Sequence, residues 1–137
     1  MGCDIHGMFE RKHKSEYKDC SWWVNAGDPD IDRDYNLFSI LGGVRNDNNI
    51  LPIAHNRILS DDIMNSNCCS TFCALVEDWM ADGHSHSFVT LPELKDNQIR
   101  GSKLSDQYIL LINYGDNIRH YHGLRSEDIR YCFFFDN

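Results

Sequence analysis

Asp4 and His6 lie two residues apart in an N-terminal segment whose alternating pattern predicts a β-strand. Side chains at positions i and i+2 of a strand stand on the same face of the sheet. A carboxylate beside an imidazole can bind a metal ion, or the carboxylate can orient the ring as a general base. Polar strand faces also carry such pairs by chance, so the meaning of this one depends on its neighbours.

A second group of polar side chains occurs at residues 84–87, which we expect to be a loop after a helix. The sequence there is His-Ser-His-Ser. An extended H-x-H segment points both imidazoles the same way, and imidazole nitrogens suit Zn or Mn when carboxylates complete the site. The four side chains could equally donate hydrogen bonds to phosphate oxygens, which makes Ser85 and Ser87 candidate ligand-binding residues.

A third polar position, Asp136, follows an apolar strand near the C-terminus. If the first and last strands are neighbours, its carboxylate joins the first pair. The sequence then predicts one site for one or two divalent ions of the Zn or Mn class, with five candidate ligands: Asp4, His6, His84, His86 and Asp136.

Candidate residues for an anionic, nucleotide-like ligand lie elsewhere in the chain. Arg45 and Asn46 follow a glycine pair that should end a helix. The planar guanidinium of Arg45 suits a phosphate group. Trp22, Trp23 or Tyr35 could stack on a base.

Several well-known catalytic motifs do not occur. There is no Walker A loop, G-x-G-x-x-G, H-E-x-x-H or G-x-S-x-G. The six cysteines form no C-x-x-C pair, which disfavours a zinc ribbon and favours reduced thiols. Strand alternation places Cys3 on the opposite face from His6, against a Cys–His nucleophile.

Composition indicates one globular domain over residues 1–137. Apolar residues make up 42% of the chain, enough for a packed core. The net charge of −8 disfavours non-specific binding to duplex DNA or anionic membranes. No apolar run is long enough to span a membrane and no export signal is recognisable, so we expect a cytoplasmic protein. Homo-oligomerisation stays open.

The element pattern predicts an α+β fold, a small and mostly antiparallel sheet with about three helices packed on it. Strands are expected at 2–11, at 20–25 and, as a central strand with two apolar faces, at 129–136. Helices are expected at 35–43, capped by Asp32 or Asp34, at 66–81, and from Leu91, where Thr90 and Glu93 form a capping box. Residues 106–123 fit a strand pair or a buried helix equally well.

Four segments together resemble a family of small, largely uncharacterised bacteriophage and bacterial proteins that open M-C-D-I-H or M-G-C-D-I-H. They are GCDIH at 2–6, DRDYNLFSILGGVRN at 32–46, DGHSHS at 82–87 and FFFDN at 133–137. The resemblance brings no family activity with it. It implies a phage or prophage setting, in which small proteins often act on host defences, including by removing nucleotide signals.

The favoured hypothesis is a metal-dependent hydrolase, a phosphoesterase acting on a nucleotide or a nucleotide-derived signal. Its catalytic residues would be Asp4, His6, His84 and His86, with the ion activating water and neutralising phosphate charge. The alternative is a non-catalytic anti-defence protein that sequesters such a nucleotide through the same polar groups. A third hypothesis is an acidic module that inhibits a host enzyme through shape and charge.

Overall fold

Four antiparallel strands form the centre of the fold, in the order β2-β1-β4-β3. The computed structural model describes residues 2–14, 21–57, 72–79 and 82–136. The strands are β1 (Asp4–Lys14), β2 (Ser21–Gly27), β3 (Gly83–Thr90) and β4 (Ile129–Asp136). The first and last strands are therefore neighbours, and the predicted α+β class is confirmed.

Five α-helices accompany this sheet in the described part of the chain. They are α1 (Tyr35–Gly42), α2 (Phe72–Trp79), α3 (Leu91–Asp96), α4 (Gln98–Leu104) and α5 (Asp106–His122). A short 3₁₀ turn, Ser126–Asp128, leads into β4. None of the helices in these described residues has the length and apolar character needed to cross a membrane.

Local capping explains where several helices begin and end. Asp34, one of the two predicted caps, accepts a hydrogen bond from the backbone N–H of Leu37 at 3.1 Å. Gly43 ends α1 with a φ of 71°, a left-handed conformation that glycine adopts without strain. Thr90 and Glu93 form the predicted capping box of α3.

Two predicted elements differ in the structure. Residues 84–87 belong to β3 rather than to a loop. Residues 106–122 form the single helix α5, which resolves the ambiguity between strands and a helix. Of the helix predicted at 66–81, the structure describes Phe72–Trp79, and the rest of that range lies outside the described residues.

The sheet has two covered faces. The face that bears Phe9, Phe133 and Phe135 packs against α1, α3 and α5, and we call it the helix-rich face. The opposite face bears His6, Cys132 and Phe134 and packs against α2, so we call it the α2 face. Residues 129–135 of β4 are all buried, as expected for a central strand with two covered faces.

A buried ion pair joins β1, β4 and α2 on the α2 face. Glu10 is fully buried and Arg130 is 4% exposed. Oε1 of Glu10 accepts hydrogen bonds from Nε and Nη2 of Arg130, at 3.0 and 2.9 Å, and from the thiol of Cys132 at 3.2 Å. Its Oε2 accepts one from the backbone N–H of Phe72, the first residue of α2, at 3.2 Å. One carboxylate therefore fixes two strands and the start of a helix.

Removing the arginine from this pair should destabilise the fold strongly. We expect Arg130→Ala to lower the free energy of unfolding by about 3–5 kcal/mol, because it leaves a buried carboxylate without its counter-charge. Urea denaturation followed by circular dichroism measures the change. Arg119→Ala, which breaks the more exposed pair with Asp116, is the control and should cost under about 1 kcal/mol. Equal losses in the two variants would contradict a special role for the buried pair.

Candidate functional site

An Asp–His pair lies at the boundary between β1 and β4. The register places Asp136 opposite Asp4 and Phe134 opposite His6, so Asp136 is the diagonal neighbour of His6. Oδ2 of Asp136 is 2.8 Å from Nε2 of His6, and Oδ1 accepts the backbone N–H of Asp4 at 3.0 Å. Both oxygens of the carboxylate are therefore held, and the carboxylate in turn orients the imidazole.

This hydrogen bond determines which nitrogen of His6 can accept a proton. A carboxylate only accepts hydrogen bonds, so Nε2 carries the proton and the neutral ring leaves a lone pair on Nδ1. Within the described residues no hydrogen bond to Nδ1 is formed. The two side chains are 25% and 22% exposed, so water can reach the pair.

Aromatic rings enclose the imidazole on the α2 face. The ring of Trp79, at the end of α2, lies 4.1 Å from that of His6, and Phe134 lies at 5.3 Å. His86, on β3, packs on the same phenylalanine at 5.2 Å. Two strands and a helix thus contribute the rings of one row that starts at His6.

Asp4 is bound by an arginine that the sequence analysis did not single out. Nε and Nη2 of Arg33 each donate to one carboxylate oxygen of Asp4 at 3.0 Å. This hydrogen bonding by Arg33 lowers the pKa of Asp4, which keeps the carboxyl charged. The side chains of both residues are half exposed.

A cleft of about 360 Å³ opens beside the Asp–His pair. Its wall is mostly acidic, because a turn-rich segment after β2 contributes three aspartates, and Arg33 supplies the positive charge. The lining residues are Asp4, Ile5, His6, Gly7, Asp28, Asp30, Ile31, Asp32, Arg33, Leu75 and Tyr131. An anion could enter this cleft only with its charge compensated.

The two histidines of the H-x-H segment do not point the same way, and that prediction was wrong. A β-bulge interrupts the pairing of β3 with β4 between His84 and Ser87, and Ser85 has a φ of 55°. His84 lies opposite Phe135 on the helix-rich face, whereas His86 contacts Phe134 on the α2 face. The extra residue of the bulge therefore separates them.

Each of the two histidines keeps a buried nitrogen, Nε2, that has no hydrogen-bond partner among the described residues. Nδ1 of His84 lies 3.0 Å from the hydroxyl of Ser85. Burial lowers the pKa of His86, and the neighbouring His84 lowers it further. An uncharged ring at His86 is thus the form that the fold accommodates.

The predicted metal ligands do not form one cluster. Asp4, His6, His86 and Asp136 reach the α2 face, and His84 lies on the other face. Asp4 is bound by Arg33, and His6 and Asp136 are bound to each other. No group of three or more His, Cys, Asp or Glu side chains within residues 2–14, 21–57, 72–79 and 82–136 is arranged to hold a metal ion. A divalent ion at this site stays a prediction.

The predicted ligand-binding residues divide into two groups. Arg45 is exposed, and its guanidinium lies over the ring of Tyr35 at 5.4 Å. The hydroxyl of Tyr35 accepts a hydrogen bond from the backbone N–H of the buried Cys3, which Arg45 also approaches. The amide of Asn46 instead holds the backbone of Ile50, donating at 2.6 Å and accepting at 2.8 Å. We therefore assign Asn46 a structural role.

Ser87 and Trp22 complete that set. Ser87 is fully buried, and its hydroxyl donates to the carbonyl of Ala54 and accepts the backbone N–H of Arg57. It ties a loop to the outer edge of β3, so its role is also structural. Trp22 lies in β2, and its side chain falls outside the part of the chain that the structure describes.

The lowered pKa of His86 predicts a specific pH dependence of stability. The folded state holds fewer protons at this ring than the unfolded state, whose pKa is near the ordinary value of 6.5. The contribution of the neutral ring is therefore complete above pH 6.5 and is lost as the pH falls below it. We expect His86→Gln to lose less thermal stability than the wild type between pH 7.5 and 5.0. Differential scanning fluorimetry measures this.

The control for this comparison is His120→Gln, which changes an exposed histidine on α5. It should keep the full loss of stability shown by the wild type. If His86→Gln and His120→Gln follow the same curve, burial of His86 does not govern the acid sensitivity.

Comparison with protein-family models, curated proteins and solved structures found no match to this chain.

Proposed function

We propose that this chain is a hydrolase in which the His6–Asp136 pair acts as the general base on a phosphoester of a nucleotide-like molecule. The observation that carries the proposal is the 2.8 Å contact between Nε2 and the carboxylate beside a solvent-accessible cleft. A histidine oriented by a carboxylate at the wall of a cleft is a geometry that general-base catalysis requires.

The arrangement supports proton transfer in two steps. Nδ1 of His6 accepts a proton from a water molecule as the oxygen attacks phosphorus, and Asp136 stabilises the imidazolium that forms. The imidazolium then returns the proton to the leaving oxygen as the ester bond breaks. The pair is unchanged at the end of the cycle.

The charges around the cleft bear on the substrate class. Arg33 lines the cleft, and the exposed Arg45 lies next to Cys3 at the start of β1. Both guanidiniums suit non-bridging phosphate oxygens. Asp28, Asp30 and Asp32 oppose an uncompensated phosphate. A divalent ion of the Zn or Mn class, when bound, would supply the missing positive charge, and its proposed ligands are the predicted residues that reach the α2 face, Asp4, His6, His86 and Asp136.

Sequestration without cleavage is the second candidate function. Trp79 supports it, because its indole lies 4.1 Å from the ring of His6, which lines the cleft, and offers an aromatic surface near the cleft on which a base can stack. The same cleft could then hold a nucleotide intact. The phage setting, the cytoplasmic location and a homo-oligomeric state accompany both candidates as expectations from the sequence.

A hydrolysis assay tests the proposal directly. The purified protein is incubated with bis(4-nitrophenyl) phosphate and with a panel of cyclic nucleotides, with added Mn²⁺ or Zn²⁺ and with EDTA. We expect His6→Ala to lower the rate by about 100-fold or more, because general-base catalysis is typically worth that much. Asp136→Asn should also lower it and change the pH profile.

The exposed His120 on α5 again provides a matched control, and His120→Ala should keep the wild-type rate. Full activity in His6→Ala would overturn the role of the pair. A nucleotide that the wild type binds and releases intact on heat denaturation would replace the hydrolase with the sequestering function.

A further inference from the structure

A second cleft, of about 490 Å³, lies at the far end of β1, between that strand and the turn that follows α5. Its lining is basic, unlike the chain as a whole, whose net charge is −8. Seven residues line it: Arg11, Lys12, His13, Gly123, Leu124, Arg125 and Asp128. Three permanent cations therefore face one carboxylate.

The positive charge of this cleft is poorly neutralised by the described residues. Arg11 forms no ion pair with any described carboxylate, and the ammonium of Lys12 lies over the ring of Trp23 at 5.7 Å. Arg125 is 77% exposed, and its Nε is 3.7 Å from Asp128 and 3.9 Å from Glu127, both too long for a hydrogen bond. Asp128 itself accepts the backbone N–H of Arg125 at 3.2 Å, so its carboxylate also serves to cap the turn.

The shape of the cleft indicates an anion with several charges. Its cations come from two separate elements, the end of β1 and the turn that follows α5, so an anion with charge at two points can contact both sets. A cleft of this volume has room for a ligand larger than one phosphate group. Guanidinium and ammonium groups are also the usual partners of phosphate oxygens.

We propose that this cleft binds the diphosphate group of a small molecule. The site is separate from the Asp–His pair. Arg11 lies seven residues beyond Asp4 along β1, about 23 Å at the rise of an extended strand. It also faces the turn after α5 rather than α2. The proposal therefore does not depend on hydrolysis at His6.

Isothermal titration calorimetry with inorganic pyrophosphate tests the site on the full chain. We expect binding at low ionic strength that weakens as salt is added, because the cleft is open to solvent. Arg11→Gln with Arg125→Gln should weaken binding at least about tenfold. A nucleoside diphosphate should bind at this cleft, and the nucleoside alone should not.

The matched control is Arg100→Gln with Lys103→Gln, which removes the same charge from α4, a helix that contributes no residue to the lining of this cleft. It should keep wild-type affinity, as should His6→Ala, which disables only the other site. If the two double variants lost affinity for pyrophosphate equally, overall charge rather than this cleft would determine binding, and the proposal would be overturned. Absence of pyrophosphate binding to the wild type would overturn it too, and thermal melts establish that each variant is folded.

Discussion

The carboxylate of Glu10 is the group on which the α2 side of the molecule depends. Taking its charge out of water is costly, and the cost is offset only because four donors converge on it. Those donors come from β4 and from the first backbone amide of α2. Arg130 also lies 3.9 Å from the ring of Trp23, which extends the same network to β2. The position of Trp79, and with it the wall around His6, follows from this anchor.

Much of the fold could be predicted because its signals are local. Alternation of apolar residues identified β1 and β4, and capping residues identified α1 and α3. At α5 the sequence left a strand pair and a buried helix open, because the run Ile109-Leu110-Leu111-Ile112 is apolar all round. Contacts with the rest of the fold determine which side chains of α5 are buried. The buried residues follow a helical spacing: Tyr108, Leu111, Ile112, Gly115 and Ile118.

In the candidate site too, the residues that local strand geometry relates were predicted, and those placed by packing between distant segments were not. Asp4, His6 and Asp136 were predicted because strand geometry relates them once β1 and β4 are neighbours. Arg33 and Trp79 were missed as site residues, because each belongs to a segment whose position against the sheet depends on tertiary packing. His84 was assigned to the wrong face because a bulge at Ser85 breaks the two-residue period of the strand. The left-handed conformation of Ser85 was not predictable, because serine seldom adopts it.

The two covered faces of β4 have a consequence for how this chain can change over evolution. Phe133, Phe134 and Phe135 alternate between the two cores, and Asp136 continues that alternation to reach His6. A substitution along this strand alters one face, but inserting or deleting one residue would exchange the faces of every side chain beyond it. Residue types in β4 can therefore change more easily than the number of residues, because the same strand contributes to both cores and its register places Asp136 beside His6.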